Sequence, residues 1–220
     1  SSHCATWPGA LFPSYCTIME RRPELTIIAG PNGAGKSRLC PLYVSTSSFD
    51  GDKLMLNLRR EHPDWPDRWL SGTVASELEK QKAKALEERK DFAFETNFSS
   101  DMVVSLVNEF KAAQFKISLC YFRLLSEDES VSRVKLRVQT GGHDVTDEVI
   151  RFNFNEGLTK IRQHLHLFEN LTFVDGNSDY GHIVALHITK SHIHRVEDNP
   201  PLWFKEQFEA VFENLDNSEL

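Results

Sequence analysis

Apolar and polar positions along this chain follow two periods, and the change of period marks the elements. Leu25-Thr26-Ile27-Ile28-Ala29 is a short apolar run ending at a glycine-rich turn, the pattern of a buried parallel strand. The next segment, Ser37 to Tyr43, is predicted to be helical. Val44 to Phe49 is predicted to be a second short strand, and Asp52 to Arg60 a helix that Asp52 is able to cap. From Thr73 to Arg89, Val74, Leu78, Ala85 and Leu86 recur near helical spacing among many Lys and Glu. That is an amphipathic helix whose charges form a solvated face. Phe92-Ala93-Phe94 is a third strand ending at Glu95, Met102 to Ala113 a helix, and Phe115 to Leu124 a β run rich in aromatic and β-branched residues. Ser126 opens another helix with Glu129 three residues on as a capping box, and Gly141-Gly142 stops it. A helix from Asp147 to Leu167, strands at Leu171 to Val174 and Ile183 to Ile188, and a final helix from Trp203 to Leu215 complete the pattern. Strands alternating with helices imply an α/β sandwich with a mostly parallel sheet flanked by helices.

Residues 1–22 show no periodicity and are expected to form an irregular tail before a domain spanning 23–220; Met19 would be a natural start for that domain. The 220 residues suit one domain. The net charge of −7 argues against a nucleic-acid partner, which usually meets a basic face, and against a peripheral membrane role. No apolar run approaches the ~20 residues needed to span a bilayer, and the first residues lack the basic region plus apolar core expected of a secretory signal. Cys4, Cys16, Cys40 and Cys120 are scattered, with no CxxC pair, which points to a reducing cytosol with thiols used as small buried residues.

The chemistry begins at Gly30-Pro31-Asn32-Gly33-Ala34-Gly35-Lys36-Ser37, a full match to G-x-x-x-x-G-K-[ST] between a predicted strand and a predicted helix. Glycines let such a loop turn its backbone N–H groups toward phosphates. Lys36 is expected to reach the β- and γ-phosphates of ATP and the Ser37 hydroxyl to hold Mg²⁺. The loop does not say what the phosphate is used for. A GTPase would carry N/T-K-x-D, and Thr189-Lys190-Ser191-His192 lacks the Asp. A transporter ATPase would carry a full signature helix, of which Leu70-Ser71-Gly72 is a fragment placed too early.

On the acceptor side, Asp52 follows the second strand in Phe49-Asp50-Gly51-Asp52, where a carboxylate is able to take the proton of an attacking hydroxyl. It is equally placed to be a helix cap, and Asp50 competes two residues away. Glu95-Thr96-Asn97 stands at the C-terminal end of the third strand, where open α/β sheets bind ligands, or forms a simple turn there. Arg133 and Arg137 share one helix face before Gly141-Gly142. They resemble a helical lid closing on phosphates, with pairing to Glu127 or Glu129 as the alternative. Arg151 is placed to join them. The pairs His164/His166 and His192/His194 lack a third ligand and argue weakly for metal.

Together these pieces resemble the zeta-toxin family of P-loop kinases, especially its compact bacterial members. The likeness runs through Pro23-Glu24-Leu25 into Ile27 to Ser37, Phe49-Asp50-Gly51-Asp52, Phe92-Ala93-Phe94-Glu95-Thr96-Asn97-Phe98-Ser99-Ser100, and Arg133-Val134-Lys135-Leu136-Arg137-Val138 with Gly141-Gly142-His143-Asp144-Val145. The resemblance implies ATP-dependent phosphorylation of a sugar-nucleotide hydroxyl, UDP-N-acetylglucosamine being the best-known acceptor. By the same likeness Asp52 is the general base, Glu95 and Thr96 hold the acceptor, and Lys36 with the lid arginines clamps the phosphates. A small antitoxin is the partner it implies. Two departures stand out: Asp50-Gly51-Asp52 where the family often has Asn-x-Asp, and Phe152-Asn153-Phe154 where it typically carries further arginines and an aromatic. The lost positive charge motivates one alternative, an ATP-binding regulatory module with little turnover. A polynucleotide 5′-hydroxyl kinase is the other, and it would need a basic groove beside Asp52.

Overall fold

A computed structural model describes residues 21–44, 46–142, 144–176, 183–189, 192–195 and 202–209. Its elements in chain order are β1 (Glu24–Ala29), α1 (Lys36–Leu39), β2 (Ser48–Asp50), α2 (Gly51–Glu61), α3 (Asp67–Glu88), β3 (Phe92–Thr96), α4 (Asp101–Ala112), β4 (Lys116–Arg123), α5 (Glu127–Gln139), α6 (Asp147–Gln163), β5 (Asn170–Asp175), β6 (Ile183–Thr189), β7 (His192–Arg195) and α7 (Leu202–Phe204). The seven strands form one sheet in the order β2-β3-β1-β4-β5-β6-β7. The first five strands in that order pair in parallel, whereas β6 and β7 add on antiparallel.

Period-two alternation divides the core between the two faces of this sheet. Leu25 and Ile27 of β1, with Ile117, Leu119 and Tyr121 of β4, join Leu106 and Phe110 of α4 and the aromatic group Phe173, Trp203, Phe204 and Phe208. Ile28, Cys120 and Phe122 point the other way and meet Leu39, Cys40 and Phe154. A third small cluster, Val131, Val134 and Ile150, joins α5 to α6, the first of which carries the arginines of the expected lid.

Several boundaries moved for local reasons. The helix expected at Ser37 to Tyr43 is α-helical only over Lys36–Leu39 and then tightens to a 3₁₀ turn at Cys40–Leu42. Pro41 has no N–H to continue the α ladder. The second strand shrinks from Val44–Phe49 to Ser48–Asp50 because Tyr43 and Val44 pack beside Cys40 on the core instead. The α2 cap is Asp50, not Asp52: Asp50 Oδ1 accepts from Lys53 N at 3.0 Å, while Asp52 lies in the first turn. The Ser126 cap forms as expected, accepting from Glu129 N at 3.2 Å. The chain also adds a strand, β7, around the His192/His194 pair. The final predicted helix is observed over Leu202–Phe204 and continues as a π turn over Lys205–Glu209; its remainder, like most of the 1–22 tail, lies outside the described residues.

Candidate active site

The C-terminal ends of β1, β2 and β3 open onto a cleft of about 1190 Å³, lined in part by Asn32 to Ser37. Backbone geometry explains the glycines of the loop. Gly30, Gly33 and Gly35 have φ of 150°, 77° and 87°. A Cβ on Gly30 would stand 2.4 Å from the Phe122 carbonyl oxygen, and one on Gly33 would stand 3.0 Å from Arg133 Cβ. The missing Gly30 side chain lets β1 turn against β4, and the missing Gly33 side chain lets α5 rest on the loop. Ser130 Oγ of α5 also donates to the Asn32 carbonyl, so the arginine-bearing helix is docked on the loop.

Lys36 is 9% exposed, and its Nζ donates to Gly30 O (2.7 Å), Pro31 O (3.1 Å) and Asn97 Oδ1 (3.0 Å). Burial pushes the ammonium below its usual range, while Glu95, Asp52 and Asp50 oppose that shift. Ser37 Oγ donates to Glu95 Oε1 (2.8 Å) and Asp50 Oδ2 (3.2 Å). Burial holds the Glu95 carboxyl above the usual range; Lys36 opposes this and Asp50 reinforces it. Its Oε2 is buried with no hydrogen-bond partner. A hydroxyl beside two carboxylates is a hard oxygen set that would suit Mg²⁺.

Five cations line the large cleft, namely Lys36, Arg38, Lys53, Arg133 and Arg137, against the acids Asp50, Asp52 and Glu95. Arg133 lines the cleft while also pairing with Glu129 (2.6 Å) and donating to Gly176 O (2.9 Å). Arg137 lines it beside Gly142, where a Cβ would come within 2.5 Å of Arg137 Cγ. The double glycine therefore ends α5 and also makes room for this arginine. Gly141 has φ 86°, and its carbonyl accepts from Arg60 Nη2 at 3.0 Å, tying the turn to α2.

A second pocket, about 300 Å³, adjoins the cleft. The two cavities share Lys36, Asp50, Asp52 and Glu95. Thr96 and Asn97 line only the smaller one among the two; Thr96 Oγ1 accepts from Phe98 N at 3.0 Å. The structure therefore brings the expected residues to these cavities, with Gly30 and Pro31 behind the lining as acceptors for Lys36 Nζ, but not Arg151. That arginine is held by Glu127 (3.2 Å) and Asp128 on the first turn of α5 and does not line either cavity.

Sequence reasoning missed a network behind the loop. Buried Asn153 of α6 donates to Asn32 Oδ1 (2.9 Å) and accepts from Ser99 Oγ (2.7 Å), linking the loop to the segment after β3. The next residue, Phe154, receives the Arg123 guanidinium at 3.7 Å from its ring centre. Where the family typically carries arginines, Asn153 and Phe154 thus pack behind the loop, while Phe152 is exposed.

The sequence profile of the family described as Zeta toxin matches residues 14–184. The chain belongs to the Zeta toxin family of P-loop kinases. An uncharacterised protein of Haemophilus influenzae is 23% identical over 127 residues, 57% of this chain and 88% of that one. The PezAT chromosomal toxin–antitoxin system of Streptococcus pneumoniae matches with a TM-score of 0.59 at 15% identity, covering 90% of this chain and 87% of that one. The AvrRxo1-ORF1:AvrRxo1-ORF2 complex with sulphate ions matches with a TM-score of 0.61 at 12% identity over 82% of this chain, which spans 62% of that one; the complex is also known with ATP. At these identities the structural matches show the shared fold: a parallel P-loop sheet flanked by helices.

Proposed function

We propose that this zeta-toxin-family chain transfers the γ-phosphoryl group of ATP to a hydroxyl of a small molecule, with residues 23–220 forming the kinase domain. The observation that carries this reading is the junction of the two cavities at Lys36, Asp50, Asp52 and Glu95. A cation-lined cleft suits a nucleoside triphosphate, and an adjoining small pocket suits its acceptor. Asp52, exposed at that junction, takes the proton of the acceptor hydroxyl. The acceptor O–P bond forms as the bond from the γ-phosphorus to the bridging oxygen of ADP breaks. Lys36, Arg133 and Arg137 stabilise the negative charge on the transferring group and the departing diphosphate. Mg²⁺, when bound through Ser37, neutralises phosphate charge.

The resemblance brings a sugar nucleotide as acceptor, seated by Glu95 and Thr96 with Asn97. The known complex with ATP supports the choice of nucleotide, and PezAT supports a small antitoxin as partner. We place the work of this chain in the cytosol, the compartment that its scattered cysteines with no CxxC pair suit; no helix among the described residues is long and apolar enough to cross a membrane. The deciding experiment measures ATP consumption against sugar nucleotides, nucleosides, small alcohols and oligonucleotides, with product masses. A phosphorylated small-molecule hydroxyl is expected. ADP release with no phosphorylated acceptor would favour the regulatory module instead, and end-labelled oligonucleotide would favour a polynucleotide kinase.

A further inference from the structure

The two joined cavities differ in charge. Besides the shared acids Asp50, Asp52 and Glu95, the small pocket has Lys36 as its one lining cation among the described residues. The Lys36 ammonium already donates to two loop carbonyls and to Asn97. The far walls are apolar: Val74 and Leu78 of α3, Met55 of α2, and Phe49 and Phe94 from the strand ends, whose rings stack at 6.1 Å. Glu95 lines this pocket beside Asp50 and Asp52, so the polar end of the pocket favours a ligand that donates hydrogen bonds. A phosphate diester has only acceptor oxygens to offer these carboxylates. A diphosphate entering this pocket would shed hydration against its hydrocarbon walls, where no lining side chain supplies a cation to replace the lost water. All the additional cationic lining, Arg38, Lys53, Arg133 and Arg137, belongs to the large cleft.

Resting on the phosphotransferase reading above, we infer that the acceptor is a compact alcohol with an apolar body and no phosphate of its own, either neutral or carrying an ammonium. The apolar body lies on Val74, Leu78 and Met55. A hydroxyl or ammonium faces the carboxylate end of the pocket, with the reacting hydroxyl at Asp52. This departs from the sugar nucleotide that the family resemblance brings.

The test uses the full chain saturated with Mg²⁺ and a non-hydrolysable ATP analogue. Ligand-observed NMR measures the binding of UDP-N-acetylglucosamine and of a library of phosphate-free benzylic and aliphatic alcohols and amino alcohols. At least one phosphate-free alcohol is expected to bind about ten-fold or more tighter than UDP-N-acetylglucosamine, about 1.4 kcal/mol or more. Ala75→Trp, at an exposed helical position on the pocket rim, should abolish that binding without disturbing the core. Ser71→Arg, which puts a cation on the rim, should shift the ratio toward UDP-N-acetylglucosamine. The inference is overturned if UDP-N-acetylglucosamine binds as tightly as the best alcohol and is lost in Ala75→Trp, or if no alcohol binds in the pocket. With ATP in place of the analogue, a bound alcohol that yields no phosphorylated product overturns the kinase reading and leaves the pocket assignment standing. Phosphorylated UDP-N-acetylglucosamine as the preferred product does the reverse.

Discussion

The phosphate loop and the acceptor strand end meet at Lys36, but they are built by different means. The loop is made rigid by what its residues lack. Gly30 and Gly33 leave out the Cβ atoms that would strike β4 and α5, and the helices close in behind them. The acceptor side is made by what its residues carry: Asp50, Asp52 and Glu95 gather three carboxylates around one ammonium, and two of them, Asp50 and Glu95, accept from one serine hydroxyl. The loop needs shape above all, whereas the strand ends need charge balance. Substitutions on the two sides should therefore fail differently, one losing transfer through misplaced phosphate, the other through a lost proton acceptor.

The sharpest break of that comparison is Asp52→Asn. It should leave nucleotide affinity near wild type and lower acceptor phosphorylation by roughly 10²–10⁴-fold, the usual contribution of a positioned base. Calorimetry for nucleotide and mass-resolved product formation separate the two effects. Asp50→Asn is the paired variant. Asn still caps α2, so the fold should hold, and any loss should follow the Mg²⁺ concentration because Asp50 faces Ser37. Inactive Asp50→Asn at all Mg²⁺ concentrations beside active Asp52→Asn would move the base to Asp50.

Lys36→Ala comes next, at about 3–4 kcal/mol of transition-state stabilisation, read from kcat/KM. Since Lys36 is buried and bonded to Gly30, Pro31 and Asn97, this variant should also melt earlier than wild type, unlike Asp52→Asn. Arg137→Ala should reduce kcat by roughly ten- to hundred-fold with little change in nucleotide affinity, because Arg133 shares its helix face and part of its role. Weaker nucleotide binding at unchanged kcat would remove Arg137 from the reacting charge.

A smaller effect tests the link between the two sides. Asn153→Ala strips Asn32 and Ser99 of a buried partner, which costs about 1–3 kcal/mol of stability by thermal or denaturant unfolding. Its turnover should fall more than its nucleotide affinity, since it misplaces the loop relative to the strand end.

The smallest effect is a pH dependence. Burial raises the folded-state pKa of Glu95 above its ordinary value of 4.5. Between those two values the folded protein keeps a proton that the unfolded chain has released, so this group lowers stability as pH rises through that window. Glu95→Gln removes the loss. Its melting temperature should exceed that of wild type at neutral pH, and the gain should vanish below about pH 4, where unfolded Glu95 is itself protonated. A gain that persists in acid would assign the effect to packing.

Much of the fold and the site was legible along the chain because it is local. The phosphate loop announces itself through glycines whose φ values are set within eight residues, and the strands through alternation that only needs a pleat. The Ser126 cap required nothing more than Glu129 three residues on. The errors were local competitions that the pattern did not resolve: Pro41 cutting α1 short, and Asp50 rather than Asp52 taking the cap. The tertiary structure alone decided which distant groups meet. Lys36 finds Asn97, 61 residues away, and Asn32 finds Asn153, 121 residues away. Strand order decides the first of these meetings, because β3 pairs directly with β1. Packing decides the second, because α6 closes over the loop. Arg151 shows the same rule in the negative. Its sequence suits a phosphate ligand as well as Arg137 does, but the way α5 packs on α6 sets it beside Glu127 and Asp128. A side chain's chemistry is written at its own position, while its partner is fixed by a fold that every other residue helps to choose.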